Sequence, residues 1–203
     1  MKRSNEGSSS EPAPRKRTAR KHSDAPPSEF SRLKLNGTVY NVGEVAVIKE
    51  YFDDCCFGTI VKIWCKANGE AIIRVRWYYK PSDVFKSVPG FIGTDELFDS
   101  DHEQDVCAEA LYDKAQVLSF TDYSSRPEID ENIYFSRARF LPSTRQLDPP
   151  IETWPTVCTC KAIQTPNDVY VECEQCGGLY HFSCVNLSME KVDKDWICRR
   201  CRK

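Results

Sequence analysis

The sequence lacks any apolar run that approaches the length of a membrane span, and no secretory signal opens it. It also lacks a long amphipathic helical pattern and any internal repeat. Its histidines include His22 in a polar terminal stretch and His102, which has no accompanying nucleophile and base. These absences lead us to expect no membrane partner, no small-molecule substrate and no enzymatic activity.

Cysteine, by contrast, is abundant, with 11 residues in a chain of 203. An odd number of cysteines without a secretory signal argues against a disulfide framework. Disulfides would also not explain why a histidine, His181, stands in the series of regularly spaced cysteines. Free thiols indicate a reducing compartment, either the cytosol or the nucleus.

The last 46 residues hold eight potential metal ligands in four close pairs. The pairs are Cys158/Cys160, Cys173/Cys176, His181/Cys184 and Cys198/Cys201. Thiolate and imidazole are the ligands that zinc prefers, and four of them complete its tetrahedral shell. We therefore predict two structural Zn²⁺ ions with no open position for a water. A segment this short buries too little apolar surface to fold alone, so metal binding supplies its folding energy.

Charge is distributed unevenly along the chain. Residues 1–34 carry a balance of +5, residues 35–157 of −8 and residues 158–203 of +1. The first 29 residues have almost no large apolar side chains and are expected to be disordered. Within them, Arg15 to Lys21 form a basic cluster of the nuclear-localisation type, which also suits non-specific contact with DNA phosphates. The acidic body fits a basic partner such as a histone tail.

The segment between the tail and the finger is predicted to be mainly β. Asn68 and Gly69 between two apolar stretches are a strong hairpin signal. The predicted strands are a pair within Val39–Ile48, then Gly58–Cys65, Ala71–Tyr79, Val117–Phe120 and Ile133–Phe140. Short strands at this density predict a small barrel or bent sheet. The expected domains are a basic tail at 1–34, a β domain at 35–145, a Pro-rich connector at 146–155 and a zinc finger at 156–203.

The order and spacing of the eight ligands resemble those of a PHD finger, and Trp196, two residues before Cys198, stands at a typical position of that family. The resemblance implies interleaved ligation. One ion would be held by Cys158, Cys160, His181 and Cys184, and the other by Cys173, Cys176, Cys198 and Cys201. A RING-like ubiquitin ligase is the enzymatic alternative, but its usual ligand order and spacing differ.

The β-rich segment resembles a BAH domain. The resemblance is carried by Arg76 to Pro81 (RWYYKP), Asp95 to His102 (DELFDSDH) and Lys114 to Leu118 (KAQVL). A BAH domain followed by a PHD finger is similar to the plant chromatin readers of the Short Life and Early Bolting type. The resemblance implies a nuclear protein that binds the histone H3 tail and works with chromatin complexes. A chromatin or replication adaptor indifferent to methylation is the alternative.

In that family the BAH domain holds a trimethylated lysine, with lysine 27 of histone H3 a known target, in an aromatic cage. Ring faces attract a trimethylammonium through cation–π interaction and bury its methyl groups. The strand period places Trp77 and Tyr79 on one face, with Tyr78 on the other, and the first two match family cage positions.

The third wall of the cage stays open at this stage, because Cys56 occupies the family's tyrosine position. The candidates are Phe57, Tyr51 and Phe52, and the remaining alternative is a cage without a third wall. By resemblance, Asp101 and His102 would hydrogen-bond the peptide backbone beside the lysine.

The finger departs from readers of trimethylated lysine 4, which place a tryptophan where Leu179 stands. Two further cage positions fall at Gln164 and Val169, neither of which is aromatic. We expect instead that a tail adds as a strand to Asp168–Cys173, or that the finger only supports the BAH domain. The residues expected to contact a tail are Asp168, Val169, Tyr170, Val171, Glu172 and Glu174.

Overall fold

The fold is mainly β, as predicted, and the described residues include two short helices and a few 3₁₀ turns. The computed structural model describes residues 28–49, 55–191 and 195–202. The basic cluster and the cage candidates Tyr51 and Phe52 lie outside these ranges. No helix within them is long and apolar enough to cross a membrane.

Fifteen strands are described. They are β1 Glu29–Phe30, β2 Arg32–Leu35, β3 Thr38–Asn41, β4 Val45–Lys49, β5 Cys55–Cys65, β6 Ala71–Tyr78, β7 Glu103–Cys107, β8 Leu111–Ser119, β9 Ile133–Ser136, β10 Arg139–Leu141, β11 Gln146–Asp148, β12 Thr156–Val157, β13 Ala162–Ile163, β14 Tyr170–Glu172 and β15 Leu179–His181. The α-helices are α1 Pro81–Val84 and α2 Phe120–Ser124, and the 3₁₀ turns are Ala108–Ala110, Ile151–Thr153, Ser183–Val185 and Met189–Lys191.

The main sheet has the strand order β7-β6-β5-β4-β8-β9, and β1 pairs with β5 beside it. The predicted hairpin is present, since β5 and β6 are antiparallel and the tip residue Gly69 has a φ of 87°. That left-handed conformation is the one a tight turn demands and glycine adopts without steric cost. β8 and β9 run parallel at the other end of this strand order.

Two predicted strand regions are divided differently in the structure. The region Val39–Ile48 does contain two strands separated at Gly43, but β3 pairs with β2, and β4 pairs with β5 and β8. The region Ile133–Phe140 is split into β9 and β10, because Arg137 between them turns its side chain into the protein interior. Near the end of the chain, Met189–Lys191 form a 3₁₀ turn, and residues 192–194 lie outside the described ranges.

The largest core cluster lies between the main sheet and the β2–β3 hairpin. Its members include Tyr40, Ile48, Ile60, Ile73 and Trp77. A second cluster, around Phe98, Phe140 and Trp154, lies where the segment before the finger meets the β domain. The predicted connector begins within β11, which pairs with β10, and its Trp154 is buried. The connector is therefore packed against the β domain, and Ile163 of the finger packs against the same cluster.

Candidate functional site

The eight predicted ligands form two groups, and within each group the ligand atoms lie within 4.8 Å of one another. The groups are Cys158, Cys160, His181 and Cys184, and Cys173, Cys176, Cys198 and Cys201. This is the interleaved arrangement that the resemblance implied. Three thiols with one imidazole, and four thiols, both fit tetrahedral Zn²⁺ with no ligand position left for a water. The finger therefore fits two structural zinc ions.

Short hairpins present the ligands. The backbone N–H of Cys158 donates to the carbonyl of Leu179 at 2.9 Å, which ties the first pair to β15. The N–H of Cys173 donates to Gly178 O at 3.0 Å and closes the turn between β14 and β15. Because β15 ends at His181, the same hairpin serves one ligand of each site and interleaves the two.

The four-cysteine site is the more buried of the two. Cys173 and Cys198 are 0% and 1% exposed and pack with Trp196 and Val171 in the core of the finger. The backbone N–H of Cys198 donates to Cys173 Sγ at 3.2 Å, and this hydrogen bond holds the pKa of the Cys173 thiol below its usual value. An N–H directed at sulfur favours the thiolate, which is the form that binds zinc.

The two nitrogens of His181 face different partners. Nδ1 lies 3.3 Å from Cys160 Sγ and 3.8 Å from Cys184 Sγ, so Nδ1 is the nitrogen directed at the metal position. Nε2 lies 3.5 Å from a carboxylate oxygen of Asp168. The ring of Tyr170 packs against the imidazole with centroids 5.1 Å apart. A carboxylate on the far nitrogen fixes the tautomer and orientation of a ligating histidine.

On the BAH-like sheet, Trp77 lies near the end of β6 and Tyr79 follows that strand directly. Trp77 belongs to the largest core cluster, and Tyr79 packs against it. The side chain of Trp77 is 9% exposed, and its Nε1 donates to Gln104 Oε1 at 3.2 Å. Tyr79 is half-buried, with Oη 2.8 Å from His102 Nδ1 and its ring 4.9 Å from that of Phe140. The two aromatic residues therefore stand beside the polar groups of His102 and Gln104.

A buried serine holds the loop that carries Asp101 and His102 against β6. Ser100 is 0% exposed; its Oγ donates to Trp77 O at 2.6 Å and accepts from the N–H of His102 at 3.1 Å. The N–H of Trp77 donates to His102 O at 2.9 Å. Asp101 and His102 are themselves exposed. The DSDH motif thus positions two predicted peptide contacts directly beside the aromatic pair.

The structure does not bring Phe57 to Trp77. Phe57 lies opposite Tyr78 in the β5–β6 register, so these two share a face while Gly58 lies opposite Trp77. The Phe57 ring is buried 4.5 Å from that of Tyr134, in a different core cluster from Trp77. Phe57 therefore packs on the far side of the sheet from Trp77. Sequence reasoning had also missed the roles of Ser100, a buried loop residue, and of Gln104 in β7, because a serine or glutamine has no pattern that predicts its hydrogen-bond partner.

In the finger, β14 pairs with β15 along one edge, and its other edge pairs with no strand in the described part of the chain. Val169 just before it is 59% exposed, whereas Val171 is 5% exposed and belongs to the core of the finger. Glu172 and Glu174 are exposed. Of the predicted contacts, Val171 has only its backbone to offer a tail, and Asp168 already contacts His181.

The loop before β14 is docked on the β domain. Arg137, whose side chain is 5% exposed, donates to both oxygens of buried Glu96 at 2.7 and 2.9 Å and to the carbonyl of Gln164 at 2.6 Å. Its guanidinium lies 4.6 Å from the ring of Trp154. The amide of Asn167 donates to Ile92 O at 3.2 Å. Gln164, which stands where readers of trimethylated lysine 4 have a cage residue, is therefore part of the contact between the two domains.

Comparison with known proteins agrees with this architecture. The BAH domain family model matches residues 38–150, and the PHD-finger model matches residues 158–201. The solved structure of the yeast Rsc2 BAH domain aligns with a TM-score of 0.49 and 18% identity over 59% of this chain and 53% of that one.

Two curated relatives come from Arabidopsis thaliana. The chain is 32% identical to "Chromatin remodeling protein SHL" over 66% of its own length and 59% of the relative's. It is 28% identical to "Chromatin remodeling protein EBS" over 70% of its own length and 61% of the relative's. The chain thus spans about three fifths of these relatives. Since the BAH match covers more than half of the sequence, the chain belongs to the BAH-domain family, and in it a PHD finger follows the BAH domain.

Proposed function

We propose that this chain is a nuclear, non-enzymatic reader of histone H3 tails. The BAH domain binds a methylated lysine, with trimethylated lysine 27 the expected mark, and the PHD finger binds another part of the tail or supports the BAH domain. Its similarity to two chromatin remodeling proteins of Arabidopsis thaliana supports a role on chromatin. The basic cluster from Arg15 to Lys21 supports nuclear targeting and non-specific contact with DNA.

The observation that carries the proposal is the grouping of Trp77, Tyr79 and His102 at the end of β6. A trimethylammonium has no proton to donate, so hydrogen bonding does not select it, whereas aromatic ring faces attract it. The hydroxyl of Tyr79 is hydrogen-bonded to His102, with 2.8 Å between Oη and Nδ1. Burial first, and then the charges of Asp83 and Asp101, raise the pKa of Tyr79, so its phenol stays neutral at physiological pH.

Calorimetry on the zinc-loaded full chain tests the proposal. The ligands are histone H3 peptides centred on lysine 27, one trimethylated and one unmodified. We expect the trimethylated peptide to bind at least about tenfold more tightly, which corresponds to about 1.4 kcal/mol, within the range of one desolvated cation–π contact.

The variant Trp77→Ala is expected to lose this preference. Tyr112→Ala is the matched control, because Tyr112 is an aromatic strand residue, 61% exposed, on a different strand. Equal affinity for the two peptides, or an unchanged preference in Trp77→Ala, would contradict methyl-lysine recognition at this site.

The burial of Trp77 favours a second candidate, an adaptor that binds chromatin partners without regard to methylation. A tryptophan that is 9% exposed and hydrogen-bonded through Nε1 is also what a packing residue looks like. This candidate predicts equal affinity for the two peptides. It also predicts that Trp77→Ala lowers thermal stability without changing the ratio of the two affinities.

For the finger, we propose strand addition to the unpaired edge of β14, with Glu172 and Glu174 accepting hydrogen bonds from a basic residue or the tail's amino terminus. The docking of Gln164 on Arg137 supports the alternative in which the finger stiffens the BAH domain. An H3 peptide that begins at the natural amino terminus separates the two. If the peptide binds and Glu172→Lys weakens that binding, strand addition is supported. If the peptide does not bind, the stiffening role is supported.

A further inference from the structure

In the described part of the chain, β7 is a terminal strand of the main sheet and pairs with β6 along one edge only. Three consecutive residues of this strand, Glu103, Gln104 and Asp105, are exposed although they alternate between the two faces. A strand exposed on both faces and along one edge presents unpaired N–H and C=O groups, which are a template for a further strand.

The register shows which backbone groups point outward. The N–H of Trp77 donates to His102 O at 2.9 Å, and the pairing continues with Arg76 opposite Glu103 and Val75 opposite Gln104. Bonded and non-bonded pairs alternate in an antiparallel ladder. Gln104 therefore bonds inward to β6, while the N–H and C=O groups of Glu103 and Asp105 point away from it.

The same alternation orients the side chains. His102 and Gln104 lie on the face of Trp77, as the bond from Trp77 Nε1 to Gln104 confirms. Asp105 lies on the opposite face, where it bonds Arg74 at 2.7 and 3.0 Å. A strand added to β7 would run about 10 Å from β6, two strand spacings away. Every second side chain of that strand would face the Trp77 side.

The charge of the edge indicates the occupant. Arg74 neutralises Asp105, but no ion pair in the described ranges engages Asp101 or Glu103. These two exposed carboxylates leave the edge negative, so it attracts a basic strand. Pairing with a second copy of the same edge would bring like charges together and is disfavoured.

We infer that the outer edge of β7 binds an extended basic tail as an added antiparallel or parallel strand, which passes beside Trp77 and Tyr79. The inference rests on the proposed function and adds the binding edge and the backbone mode of recognition. Main-chain hydrogen bonds to Glu103 and Asp105 supply affinity that does not depend on methylation, and the aromatic pair supplies the selection.

Amide hydrogen exchange by NMR tests the edge in the zinc-loaded full chain, with the two lysine 27 peptides at saturation. We expect the amides of Glu103 and Asp105 to exchange fast in the free chain and to slow by at least about tenfold in the complex. Gln104 and Val106 should be protected already, because they bond β6. Fast exchange at Glu103 and Asp105 in a saturated complex would overturn the inference.

A charge reversal provides the second measurement. Glu103→Lys should weaken both peptides by roughly five- to thirtyfold, the equivalent of one or two close charge contacts. Glu109→Lys, an equal change at an exposed residue outside β7, should leave binding unchanged. If Glu103→Lys binds the two peptides as tightly as the unchanged chain does, the inference of a binding edge at β7 is overturned. If the Glu103 and Asp105 amides are protected but the two peptides bind with equal affinity, only methyl selection is overturned. If neither peptide binds, both the edge and the proposed function are overturned.

Discussion

At the scale of a residue, Asp168 has a contact within its own chain besides the tail contact expected of it. The sequence favours it as an acceptor for a tail lysine, but its carboxylate lies 3.5 Å from His181 Nε2, on the side of the ring away from the thiols. When Nδ1 binds zinc, Nε2 keeps its proton, and a carboxylate beside it holds the ring in the ligating orientation. Asp168 is therefore a positioning residue of the first zinc site.

We expect Asp168→Asn to lower the affinity of the Cys158, Cys160, His181 and Cys184 site for zinc by about 10- to 100-fold, because the ligand loses its orienting carboxylate. Chelator competition on the zinc-loaded chain measures this, and the second site should keep its affinity. Glu172→Gln, the loss of an exposed carboxylate four residues away, serves as the control. Equal zinc retention in the two variants would show that Asp168 does not position His181.

At the scale of elements, Ser100 joins two of them, the loop that carries His102 and the end of β6. Its buried hydroxyl is the partner of Trp77 O and of the His102 N–H at the same time. We expect Ser100→Ala to lower the free energy of unfolding by about 1–3 kcal/mol, since two buried backbone groups lose their partner. Denaturant unfolding of the zinc-loaded chain measures the change.

The control is Ser125→Ala, which removes an exposed hydroxyl that donates to Asp122 O at 3.0 Å. We expect its effect to stay within about 0.5 kcal/mol, as for most surface substitutions. If the two alanine variants are equally stable, the loop does not depend on Ser100 for its position.

Elements whose signals are local could be predicted from the sequence. Asn68 and Gly69 identified the β5–β6 hairpin, and the four ligand pairs predicted two metal ions, while the division of the pairs between two sites was implied by the PHD resemblance. β7 was missed because Glu103, Gln104 and Asp105 carry no β-strand preference. They form a strand because β6 offers a ladder to pair with, and such tertiary pairing overrides local preference.

The face on which a side chain lies depends on register, and register is a property of paired strands. One residue of shift decides whether Phe57 or Gly58 lies opposite Trp77. No local pattern fixes that shift, so the sequence left the third wall of the cage open among Phe57, Tyr51 and Phe52. Trp77 and Tyr79 stand two residues apart at the end of β6, so their closeness along the chain does not depend on the register with another strand.

At the scale of the whole molecule, Arg137 is one of the residues that join the two domains. It is buried with Glu96, and it also donates to the carbonyl of Gln164 in the finger. We expect Arg137→Gln to lower the free energy of unfolding by about 3–5 kcal/mol, because Glu96 is left as an uncompensated buried charge. Urea unfolding with zinc bound measures this.

Arg139→Gln is the matched control, because Arg139 pairs with Asp99 at 3.0 Å but is 49% exposed. A solvent-exposed pair contributes only about 0.2–1 kcal/mol. A loss in Arg137→Gln no larger than that of the control would mean that water reaches Glu96 when Arg137 is replaced, and that the contact does not join the domains.

Removal of zinc tests whether the two domains stabilise one another. The finger depends on its metals to fold, and its loop supplies the Gln164 carbonyl to Arg137 and the Asn167 amide to Ile92. When a chelator unfolds the finger, the buried guanidinium loses an acceptor that contributes about 1.5–3 kcal/mol. We therefore expect chelation to lower the unfolding free energy of the BAH domain by that amount, measured by hydrogen exchange at the β5 and β6 amides.

In Arg137→Gln the same chelation should have a smaller effect, because that contact is already gone. Unchanged protection of β5 and β6 after chelation would show that the BAH domain does not depend on the finger.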